Sequence, residues 1–194
     1  MRDVYRTYSC NDSFFQEIDA EAKAYWLGFL TADGHINGRN RGTPRLVLAL
    51  SAKDAAHVAA FRSAISATYP IHDYAAGDRH RCAHFSIRSQ QIVADLAALG
   101  ITPGKRECVT FAPVRAALRH HYMRGYFDGD GSISGRHFYV LGREPFLAAY
   151  QIELCRGCDL RRTRMMWKDA TPSVVYCGRR QLRRIGDFLY RDAT

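Results

Sequence analysis

The sequence predicts an α+β fold in which one unit of helices and strands occurs twice, the two copies being related by a pseudo-twofold axis. The first observation is a ten-residue string at 25–34 whose pattern returns at 122–131: a tyrosine, a glycine, two apolar positions, a small residue and a final Asp-Gly recur in order. The second is that the same succession of helical and strand-like patterns follows each string. The third is the spacing of 97 residues, which is too long for a solenoid repeat and indicates duplication of a half-chain unit.

The individual elements follow from the hydrophobic period, which alternates between helical and strand values in the same order in both halves. Helices are predicted over 24–33, 55–66, 90–99, 116–130, 145–155 and 181–190. Strands are predicted directly after each repeated string, in the apolar stretches that end at 53–54 and 143–144, and over 71–75, 84–88, 162–168 and 173–177. The resulting plan is α-β-β-α-β-β-α, twice.

A turn-rich joint, Gly100-Ile-Thr-Pro-Gly104, separates the two copies. We therefore expect an N-terminal half, residues 1–104, and a C-terminal half, residues 105–194. The first half carries 11 basic and 10 acidic side chains, and the second carries 17 basic and 9 acidic ones. Because the second half holds nearly all of the excess charge, it should contribute most of any sequence-independent attraction to a polyanion.

The composition, 47% hydrophobic and 24% charged, is that of a soluble globular protein. No apolar run approaches the roughly 20 residues of a membrane helix, and residues 1–6 lack an apolar leader. We expect an intracellular protein, in the cytoplasm or nucleoid of a prokaryote or phage-infected cell or in an organelle, that is neither secreted nor bound to a membrane. The six cysteines should then be free thiols; Cys155 and Cys158 are expected to be small buried hydrophobes, with a structural zinc site as the alternative.

The net charge of +9 favours a polyanionic partner. Four of the 28 basic residues are lysines, and arginine suits bidentate contact with phosphates and guanine edges. An arginine-biased genome is the alternative explanation of the same composition.

Small residues recur four positions apart in each predicted motif helix, Gly28 with Ala32 and Gly125 with Gly129. Positions i and i+4 share a helix face, and small side chains there allow two helix backbones to approach closely. The pattern predicts that the two motif helices pack against each other on the pseudo-twofold axis. A tightly packed helix pair without any chemistry would show the same glycines.

Asp33 and Asp130 end these helices, and their positions indicate a cation-binding site. A carboxylate at a helix C-terminus opposes the helix dipole at a cost of about 0.3–1 kcal/mol. Two carboxylates that face each other also repel unless they are protonated or bridged by a cation. Mg²⁺ takes one or two carboxylates together with water and substrate phosphate, an arrangement that supports phosphodiester hydrolysis.

These residues resemble the LAGLIDADG homing endonucleases. The nine-residue motif maps onto 26–34 and 123–131, and the second copy is a close match. The first copy has Thr31 where the family has an aspartate, and Asp128 fills that position in the second copy. Both copies keep the final acid, which the family uses for metal. Two motifs in one chain are similar to the monomeric members of the family.

The resemblance implies two αββαββα units whose antiparallel sheets form a DNA-binding saddle, with the motif helices as their interface. Asp33 and Asp130, with Gly34 and Gly131 beside them, would hold Mg²⁺, for which Mn²⁺ or another divalent cation can substitute. The implied function is a site-specific homing endonuclease that makes double-strand cuts in DNA with short 3′ overhangs and serves intron or intein mobility. No obligate protein partner is implied, and this chain would be a free-standing monomer.

Further site residues are expected from position. Lys53 and Arg143 occupy matching places and are candidates for supporting the attacking water or the transition-state charge, or else for ion pairs with Asp54 and Glu144. Thr31 and Asp128 are expected to face each other across the axis, giving two unequal metal sites. The candidate DNA contacts are Arg39, Arg41, Arg45, Arg79, Arg81, Arg88, Arg136, His137, Arg161, Arg162, Arg164, Lys168 and Arg179.

Two other functions remain open at this point. A non-catalytic relative, acting as an intron RNA maturase or a DNA-binding regulator, would keep the basic saddle. A structural helix-pair scaffold unrelated to nucleic acid would keep only the glycine pairs.

Overall fold

The computed structural model of the chain describes residues 7–38, 44–76, 80–104, 109–168 and 170–193. Six α-helices lie within these ranges: α1 (Glu21–Ala32), α2 (Ala55–Ala64), α3 (Gln90–Ala98), α4 (Arg119–Asp130), α5 (Glu144–Cys158) and α6 (Arg179–Leu189). The same ranges hold eight strands: β1 (His35–Asn37), β2 (Arg45–Ser51), β3 (Ile71–Ala76), β4 (His80–Ile87), β5 (Gly131–Ser134), β6 (His137–Leu141), β7 (Met166–Lys168) and β8 (Thr171–Cys177). Their order confirms the plan α-β-β-α-β-β-α, twice.

The described strands form two antiparallel sheets with equivalent strand orders, β1-β2-β4-β3 and β5-β6-β8-β7. The central strands pair directly, with Leu48 opposite Phe85 in the first sheet and Val140 opposite Val174 in the second. All four side chains are buried, so one face of each sheet faces the core and the other is the open face. The predicted α+β fold with two antiparallel sheets is confirmed.

Helices from the same half cover the core face of each sheet. In the first half the Phe61 ring of α2 lies edge-on to the Phe85 ring of β4, with centroids 5.9 Å apart. In the second half the Phe127 ring of α4 stacks on the Phe138 ring of β6 at 4.6 Å. These aromatic contacts anchor a helix to the centre of each sheet.

Helices α1 and α4 form the most extensive contact between any two described elements. Residues 26–31 of α1 are buried without a break, as expected of a helix enclosed on all sides. A Cβ atom on Gly28 would lie 1.9 Å from the carbonyl oxygen of Tyr122, and one on Gly125 would lie 2.0 Å from that of Tyr25. The contact is reciprocal, as a twofold relation between the helices requires.

The strand β7 is shorter than the predicted 162–168, because it begins at Met166. Side chains bond the segment before it: the hydroxyl of Thr163 donates to the carbonyl oxygen of Val175 at 3.1 Å, and Gln151 donates to the carbonyl oxygen of Thr163 at 3.1 Å. Arg162 and Arg164 therefore precede the strand. Residues 105–108, where the predicted boundary between halves falls, lie outside the described ranges. No helix in those ranges combines the length and apolarity needed to cross a membrane.

Candidate functional site

Asp33 and Asp130 end the two central helices and line a common cleft of about 1030 Å³. Asp33 is the C-cap residue of α1, and its backbone N–H donates to the carbonyl oxygens of Phe29 and Leu30. Asp130 is the last residue of α4, directly before β5. The packing of the helices thus brings two carboxylates from distant parts of the sequence to one site.

Gly129 lets the Asp33 side chain lie against the opposite helix. A Cβ atom on Gly129 would be 2.5 Å from the Cβ of Ala32 and 3.0 Å from Oδ2 of Asp33. The second of the two small positions predicted on each helix therefore lies beside the cleft, and a larger side chain at Gly129 would displace the Asp33 carboxylate.

Tyr126 interacts electrostatically with both carboxylates, although its place in the repeated string predicts only an apolar core residue. Its phenol donates to the carbonyl oxygen of Leu141 at 2.9 Å. Burial raises the pKa of Tyr126 far above its usual value, and the charges of Asp130 and Asp33 and a hydrogen bond with Asp130 add to this effect. The phenol therefore stays neutral, and its single proton, which the Leu141 carbonyl accepts here, is within reach of the Asp130 carboxylate. Gly142 makes room for it, because a Cβ atom there would lie 2.5 Å from the phenol oxygen.

The two predicted basic residues occupy different surroundings. Arg143 is the N-cap residue of α5 and, like Asp130, lines the cleft. Lys53 lies in a single 3-10 turn, Ala52–Asp54, is exposed, and is not among the described residues that line the cleft. Gly34 also lines the cleft, whereas Gly131, the first residue of β5, is not among its described lining.

The donor set in the cleft suits a hard divalent cation. Mg²⁺ takes one or two protein carboxylates and completes its shell with water and phosphate oxygens, so Asp33 and Asp130 fit this need. The C-terminal ends of α1 and α4 add partial negative charge at the same place. In the described part of the chain, no group of three or more His, Cys, Asp or Glu side chains is arranged to hold a metal by itself.

Asp128 lies in a different recess, where hydrogen bonds from neighbouring side chains hold its carboxylate. It accepts hydrogen bonds from the phenols of Tyr25, at 2.9 Å, and Tyr190. Thr31, at the matching position, lines the cleft, donates to the carbonyl oxygen of Leu27 at 2.7 Å and accepts from Tyr122 at 3.4 Å. The expectation that Thr31 and Asp128 face each other is wrong, because Thr31 lines the cleft whereas the Asp128 carboxylate bonds Tyr25 and Tyr190 in the other recess.

Cys155 and Cys158 lie within the second half. Cys158 is buried, and burial raises the pKa of its thiol to about 12. The sulfur of Cys155 lies 3.1 Å from the phenol oxygen of Tyr176. A raised thiol pKa disfavours the thiolate that binds metal, so Cys158 acts as a small packing group.

The predicted DNA contacts are spread over strands, turns and helix starts. Arg45 and His137 begin β2 and β6. Arg81, on β4, forms an ion pair with Asp73. The others within the described ranges lie outside the strands, and they are Arg88, Arg136, Arg161, Arg162, Arg164 and Arg179. Arg39, Arg41 and Arg79, and the side chain of Lys168, lie outside the described residues.

No family model and no curated protein matches the sequence. Solved structures do match the fold. Full-length DUF199/WhiA from Thermatoga maritima superposes with a TM-score of 0.62 at 14% identity, over 92% of this chain and 59% of WhiA. The N-terminal LAGLIDADG domain of DUF199/WhiA gives 0.56 at 17%, over 95% of this chain and 90% of that domain. The endonuclease I-DmoI in complex with DNA and Mn gives 0.60 at 14%, over 87% of this chain and 96% of I-DmoI.

These neighbours show that the chain has the LAGLIDADG fold. The chain spans about three-fifths of full-length WhiA and nearly the whole of I-DmoI. At identities of 14–17% the likeness extends to the fold alone.

Proposed function

We propose that the protein is a site-specific, metal-dependent DNA endonuclease that cuts both strands of its target. One observation carries the proposal: Asp33 and Asp130, at the ends of the two closest-packed helices, line a single cleft. Helix dipoles and mutual repulsion both disfavour this arrangement unless a cation is present. A packed helix pair without chemistry has no need of either acid.

The roles of the cleft residues follow from their chemistry. Asp33 and Asp130, with the backbone at Gly34 and Gly131, would hold Mg²⁺ or Mn²⁺; such ions activate water and stabilise the leaving oxygen in phosphodiester hydrolysis. Tyr126 would orient the Asp130 carboxylate by turning its phenol proton from the Leu141 carbonyl to that carboxylate. Arg143 would offset the charge that develops on the phosphate.

Charge and fold together support duplex DNA as the substrate. The chain carries a net charge of +9, and residues 105–194 hold most of the excess. The fold neighbour I-DmoI was solved in complex with DNA in the presence of Mn, Mg or Ca. We propose that each half, residues 1–104 and 105–194, contacts one half of the target with its sheet, and that the cuts leave short 3′ overhangs.

A second candidate, a non-catalytic nucleic-acid-binding protein, is favoured by one observation. Of the matched basic pair, Arg143 lines the cleft, whereas Lys53 is not among its described lining residues. Such a protein would bind its duplex equally well with or without Mg²⁺ and would leave it intact. An RNA maturase would instead bind intron RNA more tightly than duplex DNA in a gel-shift assay.

The test begins with selection of cleavable sites from a randomised duplex library in Mg²⁺. On the selected site, Asp33→Asn and Asp130→Asn are each expected to lower the rate of double-strand cutting by about two orders of magnitude or more while binding survives. Asp128→Asn is the matched control, because this carboxylate belongs to the same motif but lies in another recess. It should retain cutting.

Two results would overturn the proposal. If the selection yields duplexes that bind but none that is cut with any divalent cation, the non-catalytic candidate is favoured. Undiminished cutting by both motif variants would remove Asp33 and Asp130 from the chemistry.

A further inference from the structure

The open face of the second sheet carries uncharged side chains at its centre. Strand register places Tyr139 opposite Val175, and Leu141 and Met166 both opposite Ser173. The neighbouring residues Phe138, Val140, Val174 and Tyr176 are buried in the core, so the alternation of strand side chains puts the register pairs on the other face.

This surface, the second-sheet face (Tyr139, Leu141, Met166, Ser173 and Val175), exposes apolar groups around the buried Ser173. Leu141 is 46% exposed and Met166 is 59% exposed, and Tyr139 and Val175 are partly exposed. Exposed apolar side chains at the centre of a sheet indicate that a partner surface covers them.

Arginines surround the second-sheet face and indicate the charge of that partner. Arg136 lies in the turn between β5 and β6, Arg179 starts α6, and Arg162 and Arg164 precede β7; all four are exposed. The backbone N–H of Gly178 donates to the carbonyl oxygen of Arg136 at 2.9 Å, so Arg136 and Arg179 lie on the same rim. A cationic rim around an apolar centre complements a polyanion that has charged groups at its edges and apolar groups between them.

The open face of the first sheet has a different character at equivalent register positions. In the first sheet, His84 lies opposite Ala49 on one neighbouring strand and opposite His72 on the other. The equivalent residue of the second sheet is Ser173, which lies opposite Leu141 and Met166. Arg45 is opposite Asn37, where the second sheet has His137 opposite Ser134. The first sheet therefore has the hydrogen-bonding side chains of His72 and Ser86 at the positions where the second sheet has the apolar side chains of Met166 and Val175.

We propose that the second-sheet face recognises thymine methyl groups in the major groove, so that its half of the DNA target is rich in thymine. In the major groove the thymine methyl is the apolar group that base edges present, and apolar side chains contact it. The rim arginines would bind the flanking phosphates and set the register. This inference rests on the proposed function, because it assumes that the sheets face duplex DNA.

The same chemistry favours DNA over RNA as the partner. RNA carries uracil, which lacks the methyl group, and the deep, narrow major groove of an A-form duplex does not admit a sheet. A face built to contact methyl groups would gain nothing from an RNA helix.

The test replaces thymine by uracil in the selected duplex, one half-site at a time, and measures the dissociation constant by gel shift. Uracil keeps every hydrogen-bonding group of thymine, so the exchange removes the methyl alone. In the half contacted by the second sheet, we expect binding to weaken about fourfold for each buried methyl. In the other half the change should stay below about twofold.

Matched variants identify which half the second sheet contacts. Val175→Ala, on β8, is expected to abolish the effect of uracil at one thymine position. Ser86→Ala is the control, because Ser86 occupies the equivalent position opposite Val47 on β4 and is similarly part-buried. It should leave all uracil effects unchanged.

The inference is overturned if both half-sites tolerate uracil, if Val175→Ala leaves every uracil effect intact, or if intron RNA binds more tightly than duplex DNA. Failure of the proposed function is a separate result, namely a duplex that binds and shows the methyl dependence but is never cut.

Discussion

Tyr126 and Phe29 occupy the same position in the two motif copies and differ by one oxygen atom. The Phe29 ring lies 4.4 Å from the His57 ring, within an aromatic cluster that includes Trp26. The Tyr126 phenol instead donates to the carbonyl oxygen of Leu141, and the negative charges of Asp130 and Asp33 raise its pKa. The acids end equivalent helices, but a buried phenol interacts with them from one half alone, and the two ends of the cleft are unequal.

Tyr126→Phe is expected to lower the cutting rate about tenfold, the size of a hydrogen bond to a charged group. Phenylalanine fills the same space in the other half, so the fold should persist. If the phenol orients Asp130, the variant also needs more Mg²⁺ for half-maximal rate, which a loss of packing would not cause. The measurement is a Mg²⁺ titration of single-turnover cutting.

Tyr150→Phe is the matched control for this prediction. The Tyr150 phenol is buried and donates to the carbonyl oxygen of Met123 at 3.0 Å, and Tyr150 is not among the described residues that line the cleft. It should lose a similar hydrogen bond without any change in the Mg²⁺ requirement. An unchanged Mg²⁺ titration for Tyr126→Phe would show that the phenol does not position the carboxylate.

Sequence alone could find the two acids but not this tyrosine. Asp33 and Asp130 are identical residues at the end of identical strings, so the repeat itself singles them out. Tyrosine at an apolar helix position is ordinary in a core. The carbonyl that accepts its proton, at Leu141, and the residue that leaves room for its phenol, Gly142, lie at and just after the end of β6. The available signal was the difference between Phe29 and Tyr126 at matched positions.

At the scale of elements, the helix pair depends on backbone contact at two glycines. Gly28→Ala would place a Cβ atom 1.9 Å from a carbonyl oxygen of α4, and the atom it meets is backbone that cannot rotate away. The two helices must separate, and we expect the free energy of unfolding to fall by about 3 kcal/mol. Urea denaturation followed by circular dichroism measures this change.

Gly186→Ala provides the contrast within the same chain. Gly186 lies inside α6, and no described atom lies within 4 Å of an added Cβ. Alanine there should stabilise the protein by about 0.5–1 kcal/mol, because glycine is the poorer helix former. Equal effects of the two substitutions would mean that α1 and α4 do not pack as closely as their backbone distances indicate.

The elements themselves were predictable where the hydrophobic period is strong. All six helices and the order of all eight strands in the described ranges follow from it. The extent of β7 was not predictable, since Arg162-Thr-Arg164 alternates like a strand. Its backbone is instead fixed by the side chains of Thr163 and Gln151, which are contacts across the fold.

At the scale of the whole molecule, duplication explains the architecture and divergence explains the chemistry. The repeat of 97 residues predicts two equivalent sheets and a twofold helix pair, and both are present. The faces of those sheets differ because side chains at matched register positions have changed, from His84 and Arg45 to Ser173 and His137. We expect an asymmetric target for this reason.

The stability of the whole molecule should depend on pH through a histidine pair where α1, α4 and the C-terminal residues meet. His120 and His121 are buried on α4 with ring centroids 3.8 Å apart. Burial lowers the pKa of His120 to about 4, and the nearby charges of His121 and Arg191 add to the effect. Burial also lowers the pKa of His121, with Arg124 adding and Glu21 opposing.

The direction of this pH dependence follows from the lowered pKa values of the two histidines. Well above pH 6.5 both histidines are neutral in the folded and unfolded chains, so they do not change the free energy of unfolding. As the pH is lowered from 6.5 to about 4, His120 takes up a proton in the unfolded chain but not in the folded one. The free energy of unfolding therefore decreases as the pH is lowered. An exposed carboxylate that is paired with a lysine, such as Asp19 with Lys23, is protonated only below this window, because the hydrogen bond from Lys23 lowers the pKa of Asp19.

His120→Phe tests this prediction, because it keeps an aromatic ring at the site but removes the titrating group. Urea midpoints measured from pH 7.5 to 4 should fall less steeply in the variant than in the parent protein. His137→Asn, an exposed histidine at the start of β6, should leave the slope unchanged. If His120→Phe and the parent lose stability in parallel over this range, the acid sensitivity of the fold arises elsewhere than at the junction of the two halves.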